Sequence, residues 1–372
     1  MNTECAYAIA YGVKTEELIQ QLLEQLPVGQ SDWSLGFVYA TDALSEAFGQ
    51  IVDQLSTETG MRDCVGTVGL GVCGVAIEVY EQPAVVVLLT NIDSKRYCLF
   101  DFAASGEVLG ACKSKFAGQE YPSVGVIHGR PTDSQVIPAF NSLCDTLPNT
   151  FFVGGLSSSQ SEYPQVARGL TEEPLSGVLF GSHQSISVAH SQGCLPLSAK
   201  HVVTACEDNR IDELDGRPAL EVFKEDIGEV LAKDLKKIGG YIFAGFPLDQ
   251  SDINDYIVRN IIALDIERDS ILVGDQVHEQ QAVMFCRRDG NSAQQDMQRM
   301  LDDIKKRLSG PPRGALYYSC LARGRYQFGE QSEELKMIAQ SLGNVPLVGF
   351  FANGEIYHHS LYGYTGVLTV FE

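Results

Sequence analysis

The sequence predicts a mixed α/β protein: repeated strand-helix-strand-strand units that form mixed sheets, packed together and flanked by helices. Three observations predict it. Apolar stretches of strand length alternate with stretches whose apolar residues recur at helical spacing, the pattern of sheets covered by helices. The alternation repeats, and three copies align on a glycine step: Val65-Gly66-Thr67, Val153-Gly154-Gly155 and Val348-Gly349-Phe350. In each copy a last strand follows directly on the glycine strand, which points to mixed rather than all-parallel sheets.

In the first copy the strand is Leu35 to Ala40. Asp42 is placed to cap a helix whose face is Phe48, Ile51, Val52 and Leu55. A Gly- and Val-rich strand from Cys64 to Ile77 follows, then Ala84 to Leu89. The second copy runs from Val124 to Gly181. Its strand is Val124 to His128, and Thr132 or Asp133 caps a helix with Val136, Ile137, Phe140, Leu143 and Leu147 on one face. Phe151 to Ser157 and Gly177 to Phe180 complete it. The final copy has its strand at Ala315 to Cys320 and its helix at Ser332 to Leu342. Val345 to Glu355 is the glycine strand and Gly366 to Phe371 closes the unit.

A fourth, weaker copy is read between them. It comprises Val202 to Ala205, a helix opened by Pro218 with Leu220, Phe223, Ile227, Val230 and Leu231, and Tyr241 to Phe246. The first two copies make one module, 1–199, and the rest a second, 200–372. Two helices stand outside the pattern. Thr15 opens one with Leu18, Leu22 and Leu26 in register. Ser292 opens the other, with Met297, Met300, Leu301, Ile304 and Leu308 on a core stripe.

Composition narrows the function. Lys and Arg number 27 against 48 Asp and Glu, a net charge of −21, so phosphate backbones and anionic lipid are repelled. Nucleic acid and membrane surfaces are therefore not expected partners. No apolar run reaches the roughly 18 residues of a membrane helix. The first ten residues lack the basic start of a signal peptide, and the expected location is cytoplasmic. The 10 cysteines contain no C-x-x-C and read as reduced core residues.

Motifs for catalysis are few. Gly69-Leu70-Gly71-Val72-Cys73-Gly74 has dinucleotide spacing, yet it runs into strand-forming residues instead of opening a helix. No Walker motif, zinc-protease helix or nucleophile elbow occurs. Cys320, near Arg323, is a candidate nucleophile with no base that can be placed beside it. The acidic pairs Asp212-Glu213 and Glu333-Glu334 read as solvated helix surface. The chain is read as a ligand-binding protein and not an enzyme.

The longer strings are more specific. They are Ser191 to Pro196, Ile211 to Leu220, Ser319-Cys320-Leu321-Ala322-Arg323-Gly324, and Val345 to Ile356 with its Gly-Phe-Phe-Ala-Asn-Gly-Glu core. Leu361 to Leu368 follows. These resemble the FIST family, the N- and C-terminal FIST modules of sensory proteins. Leu195 stands where the family usually has Arg, Tyr362 precedes Gly-Tyr-Thr-Gly, and His358-His359 occupy a variable loop. The resemblance implies a stand-alone bacterial input module that binds a small ligand and passes a signal to a partner. One branch implies haem, nitric oxide sensing, and a histidine kinase or cyclic-dinucleotide enzyme as partner. The wider family implies amino acids or similar metabolites.

A pocket needs apolar walls and a few placed polar groups. Phe350-Phe351 followed by Asn353 and Glu355 supplies that combination, and Tyr364 is a further ligand-binding candidate. Arg323 is placed for a ligand carboxylate and Glu355 for a ligand amine. The alternative is that Arg323 and Glu355 pair with each other. His358, His359 and His190, which flank the specific strings, are the candidate haem ligands.

Overall fold

In Leu35–Thr41 alternate side chains part company: Leu35, Phe37 and Tyr39 enter one core cluster, Val38 and Ala40 another. A strand buried on both faces belongs to a sheet held between layers. The structure, a computed structural model, describes residues 4–27, 33–102, 110, 114–116, 122–167, 169–232, 238–248 and 255–372. The side chain of Val230 falls outside these, as does Cys112.

Three repeats follow one plan. In the first, Leu35–Thr41 pairs parallel with Asp63–Gly69 and antiparallel, on its other side, with Ala84–Thr90. In the second, Pro122–Gly129 pairs in the same two ways with Phe151–Leu156 and Leu175–Gly181. In the third, Gly314–Cys320 does so with Leu347–Ala352 and Thr365–Phe371. The helices Phe48–Thr59, Val136–Thr146 and Glu333–Leu342 make the parallel crossovers. At the glycine step a Cβ on Gly66, Gly154 or Gly349 would meet the carbonyl oxygen of Val38, Ile127 or Tyr317 at 2.0, 1.9 and 1.6 Å. Those carbonyls lie on the parallel neighbour, so glycine is what lets the two backbones approach.

Each repeat also sends a short hairpin into another repeat's sheet. Gly71–Gly74 of the first pairs with Leu347–Ala352 of the third. Glu355–Tyr357 of the third pairs with Phe151–Leu156 of the second. Gln165–Ala167 of the second pairs with Asp63–Gly69 of the first. The exchange is cyclic, and it completes three sheets of six strands each. Their inner faces share one core, with Phe37 and Val65 from the first repeat, Val126 and Val153 from the second, and Leu316 and Val348 from the third. Outer faces are covered by helices: Thr15–Leu23 and Phe48–Thr59 over the first sheet, Val136–Thr146 over the second. The methionine stripe is core as expected, with Met297, Met300, Leu301 and Ile304 buried in the helix Gly290–Arg307.

By packing, the chain divides into two units. One comprises Met1–Ser191, Met297–Leu361 and Thr365–Glu372; the other comprises Gln192–Asp296 and Tyr362–Tyr364. The three repeats lie in the first. The modules expected at 1–199 and 200–372 are divisions of sequence pattern, whereas these units are divisions of packing.

The second unit corrects the fourth copy. Its strands His201–Glu207, Arg210–Leu214, Ser270–Val273, Tyr256–Asp265, Ile242–Pro247 and Ala282–Arg288 pair antiparallel in a closed ring. There is no parallel crossover, and Gly245 sits in antiparallel register with Met284 and Val258. The helix Ala219–Ala232 fills the ring with Leu220, Phe223 and Ile227. Pro218 lies just before that helix, in a short strand.

Three local expectations also change. Asp42 opens a 3-10 turn, Asp42–Leu44, and its Oδ2 accepts from the Gln160 N–H at 3.1 Å; the helix begins only at Phe48. The stretch Cys64 to Ile77 is a strand that turns at Leu70 into a second strand, Gly71–Gly74. The stretch Val345 to Glu355 breaks at Asn353-Gly354, so that Glu355 starts a strand of its own. Among the described residues no helix is long and apolar enough to cross a membrane.

Candidate ligand-binding site

The strand Gly314–Cys320 ends beside its parallel partner Leu347–Ala352, and the chain leaves both at the same end of the sheet. Crevices at the carboxyl ends of parallel strands are where α/β sheets place ligands. Here the crevice collects charge. Arg323 folds back from the loop after Cys320 and is fully buried. Its Nε and Nη2 donate to Glu334 Oε1 at 2.8 and 2.7 Å. Its Nη1 and Nη2 donate to Ser191 O and Oγ, both at 3.3 Å. Glu334 also accepts from the Tyr317 hydroxyl at 2.6 Å, the Ser319 hydroxyl at 3.1 Å and the Gly324 N–H at 2.9 Å.

This pair changes the role of Arg323. Arg323 is buried, and its ion pair is with Glu334, not with Glu355, the partner named above as the alternative. Removing one partner of a buried pair leaves an uncompensated charge, a loss of about 3–5 kcal/mol. Arg323 therefore clamps the loop that carries it. Glu334, read from sequence as a solvated helix acid, is fully buried; only its neighbour Glu333 faces outward.

Glu355 is different. It is fully buried, and its Oε2 accepts from the Thr365 N–H at 3.1 Å and the Thr365 hydroxyl at 2.9 Å. Its Oε1 has no hydrogen-bond partner among the described residues. Burial pushes its carboxyl up to about 8; the Thr365 bonds, the Arg323 charge and a hydrogen bond with the Cys320 thiol pull it back only partway. Glu78 comes from the first repeat's hairpin and is about nine-tenths buried. Its Oε2 accepts from the Tyr80 hydroxyl at 2.9 Å, and its Oε1 is unpartnered among the described residues. Burial, then the Glu334 charge, raises it to about 8 as well. Of these three buried carboxyls, Glu334 takes the guanidinium.

The other expected residues scatter. Phe350 points into the shared core, with ring centroids 5.2 Å from Tyr39 and 5.5 Å from Tyr318. Strand alternation gives the crevice Phe351 instead, 4.6 Å from the Tyr80 ring. The Asn353 side chain is exposed at the turn, and its N–H donates to Leu156 O at 2.9 Å. Tyr364 belongs to the second unit, where its hydroxyl donates to Asn260 Oδ1 at 2.5 Å and its ring lies 4.5 Å from Phe243.

Of the three candidate histidines, His358 and His359 form the turn of one hairpin and His190 lies on the strand Ile186–Gln192 beside it. His358 and His359 stack at 4.2 Å with planes 3° apart, and His359 Nε2 donates to Thr150 O at 3.0 Å. His358 is exposed, with its ring 5.0 Å from Phe151. The His190 ring lies 4.1 Å from Tyr357. As placed, the stacked pair does not make a haem seat: parallel rings at van der Waals separation leave no room for a porphyrin between them, and His358 lies on the surface. Among the described residues no three His, Cys, Asp or Glu side chains come together to hold a metal. The surface hollows near Glu46 and Asp53, about 700 Å³, and near Lys95 and Tyr97, about 470 Å³, are lined by none of the residues above.

A second buried polar cluster lies at the centre of the three repeats. The Tyr39 hydroxyl is 3.0 Å from His128 Nε2 and 2.9 Å from the Tyr318 hydroxyl. Each of these residues follows directly on a carbonyl packed against the glycine step. His128 is fully buried, its Nδ1 is unpartnered among the described residues, and burial pushes it down to about 3.

Comparison with known proteins follows the same strings. A family model described as the FIST N domain matches residues 34–217, and one described as the FIST C domain matches residues 219–358. A protein of Mycobacterium tuberculosis strain H37Rv, described as uncharacterized, is 28% identical over 322 residues, covering 82% of this chain and 83% of the relative. A protein of Mycobacterium bovis, described in the same way, is 28% identical over 339 residues, 86% of each chain. Arg323, Glu334 and Glu355 all fall within the FIST C match.

Proposed function

This chain belongs to the FIST family, and on that premise we propose that it is a sensor whose small ligand presents an amine to Glu355. FIST domains are associated with signal-transduction sensing. The observation that carries the reading is the unpartnered Glu355 Oε1 in a fully buried carboxyl. An unsatisfied buried acceptor costs about 1–3 kcal/mol, and a ligand donor that reaches it recovers that energy. An ammonium recovers more, because it also neutralises the carboxylate form. Amino acids and similar metabolites carry this group. The half-buried Cys320 hydrogen-bonds with the Glu355 carboxyl. The protein acts as a receptor and not a catalyst, and a separate histidine kinase or cyclic-dinucleotide enzyme receives its signal.

The haem and nitric oxide reading, with His358, His359 or His190 as ligand, rests on the resemblance alone, and the geometry of the imidazoles lends it no support. One preparation tests both readings. Protein purified from haem-supplied cells is expected to lack a Soret band. An amino-acid panel is expected to raise its thermal midpoint for one chemical group of ligands, and Glu355→Gln is expected to abolish that rise while leaving the fold intact. A stoichiometric Soret band that shifts with nitric oxide would reverse the preference.

A further inference from the structure

Glu355 has a second neighbour with chemistry of its own. The strand Gly314–Cys320 ends on Cys320, which is half-buried, and its thiol hydrogen-bonds with the Glu355 carboxyl. Among the described residues six other cysteines, including Cys64, Cys73 and Cys286, are buried. Cys5 is half-buried, but burial pushes its thiol up to about 12. The thiol of Cys206, also half-buried, donates to the Val277 carbonyl at 3.6 Å, and a carbonyl cannot take its proton. Cys320 thus combines partial exposure with a hydrogen bond to a carboxyl whose second oxygen is unpartnered.

We propose that Cys320 is a modification site that forms a mixed disulfide with a low-molecular-weight disulfide, with Glu355 as the proton acceptor. The step balances without any other reagent. Glu355 in its ionised form, whose share grows as pH rises toward about 8, takes the S–H proton, and the Cys320 thiolate attacks one sulfur of the incoming disulfide. A bond forms between Cys320 Sγ and that sulfur, and the incoming S–S bond breaks. The departing thiolate collects the proton from Glu355. Cys320 is oxidised and the departing sulfur is reduced.

The acid–base match supports the step. A free thiol titrates near 8.5 and an ordinary Glu near 4.3, so proton transfer between them is steeply uphill. Burial raises Glu355 to about 8, so its carboxylate is a stronger base than that of an ordinary Glu. Thr365 holds Oε2, and the thiol's own hydrogen bond to the carboxyl gives the proton a direct path. An adduct on Cys320 would also occupy the approach to Glu355. The proposal shares that residue with the amine-sensing reading but requires no ligand.

The test uses the full chain with oxidised glutathione as the probe, followed by intact mass and peptide mapping. One glutathione per chain is expected, on Cys320, and Cys320→Ser is expected to remove it. Glu355→Gln is expected to slow the reaction about tenfold or more, within the range that positioned bases contribute. A wild-type map showing no adduct, or an adduct first on another cysteine, overturns the proposal without any variant. Equal rates in Glu355→Gln and wild type overturn the role of Glu355. Cys320→Ser also separates the two readings: there the adduct is lost, while an amine ligand still raises the thermal midpoint.

Discussion

Buried groups in the first unit hold their protons abnormally, and in opposite directions: Glu355 and Glu78 upward, His128 downward. Glu355 titrates near 8 in the folded chain against an ordinary 4.5. Between those values the folded state keeps a proton that the unfolded state has released. Stability from this group is therefore complete below about pH 4.5 and is lost as pH rises through about 8. His128 behaves the other way. Its folded value, about 3, lies below its ordinary 6.5, so its contribution is present above 6.5 and is lost as pH falls toward 3. Denaturant midpoints measured from pH 6.5 to 8, above the range in which the His128 contribution changes, are expected to fall for the wild type, and to fall less for Glu355→Gln. Equal slopes would place the Glu355 proton elsewhere. The site was partly legible at this scale. Arg323 and Glu355 stand in strings specific enough to single out. Glu334 looked like one of two surface acids, although its phase with Leu335 and Ile338, the buried residues of its helix, carried the signal. Glu78 had no signal at all, because it reaches the crevice from another repeat.

At the level of elements, the glycine step is the feature that ties the sequence pattern to the sheet. Its Val-Gly core is local, so it could be read directly, and it marks the parallel pair in all three repeats. The same reading failed for the fourth copy. Strand–helix alternation alone cannot distinguish a parallel crossover from an antiparallel ring filled by a helix, and Gly245 supplied a glycine without the crossover. The step has a measurable consequence. A methyl group at Gly349 would sit 1.6 Å from the Tyr317 carbonyl oxygen, a backbone atom that cannot rotate away. Gly349→Ala is expected to destabilise the chain by about 1–3 kcal/mol, the usual cost of overpacking, or more. Chemical denaturation measures it. A neutral result would mean that the two strands can separate freely. Gly245→Ala is the control, since its nearest neighbours are the side chains of Cys286 and Met284.

For the molecule as a whole, the three repeats of the first unit cannot be treated as separate objects. The fold class and the repeats were visible in the sequence, but the exchange of hairpins was not, because cross-repeat pairing depends on register between distant backbones and leaves no periodic trace. The exchange places Glu355 at the start of a strand, Glu355–Tyr357, that belongs to the sheet of the second repeat. Hydrogen exchange is expected to show slower amides in Phe151–Leu156 when a ligand binds at Glu355, because Glu355 pairs with Gly155 of that strand. Protection confined to the third repeat would count against such coupling. A chain built this way has no loose end at which unfolding can begin in one repeat and stop: to release any hairpin is to strip an edge from a neighbour, whose own hairpin then lets go of the next. Whatever grips one link of that ring shortens the slack in all of it, and a receptor with so little slack can report an event in one crevice as a change in the stiffness of the whole.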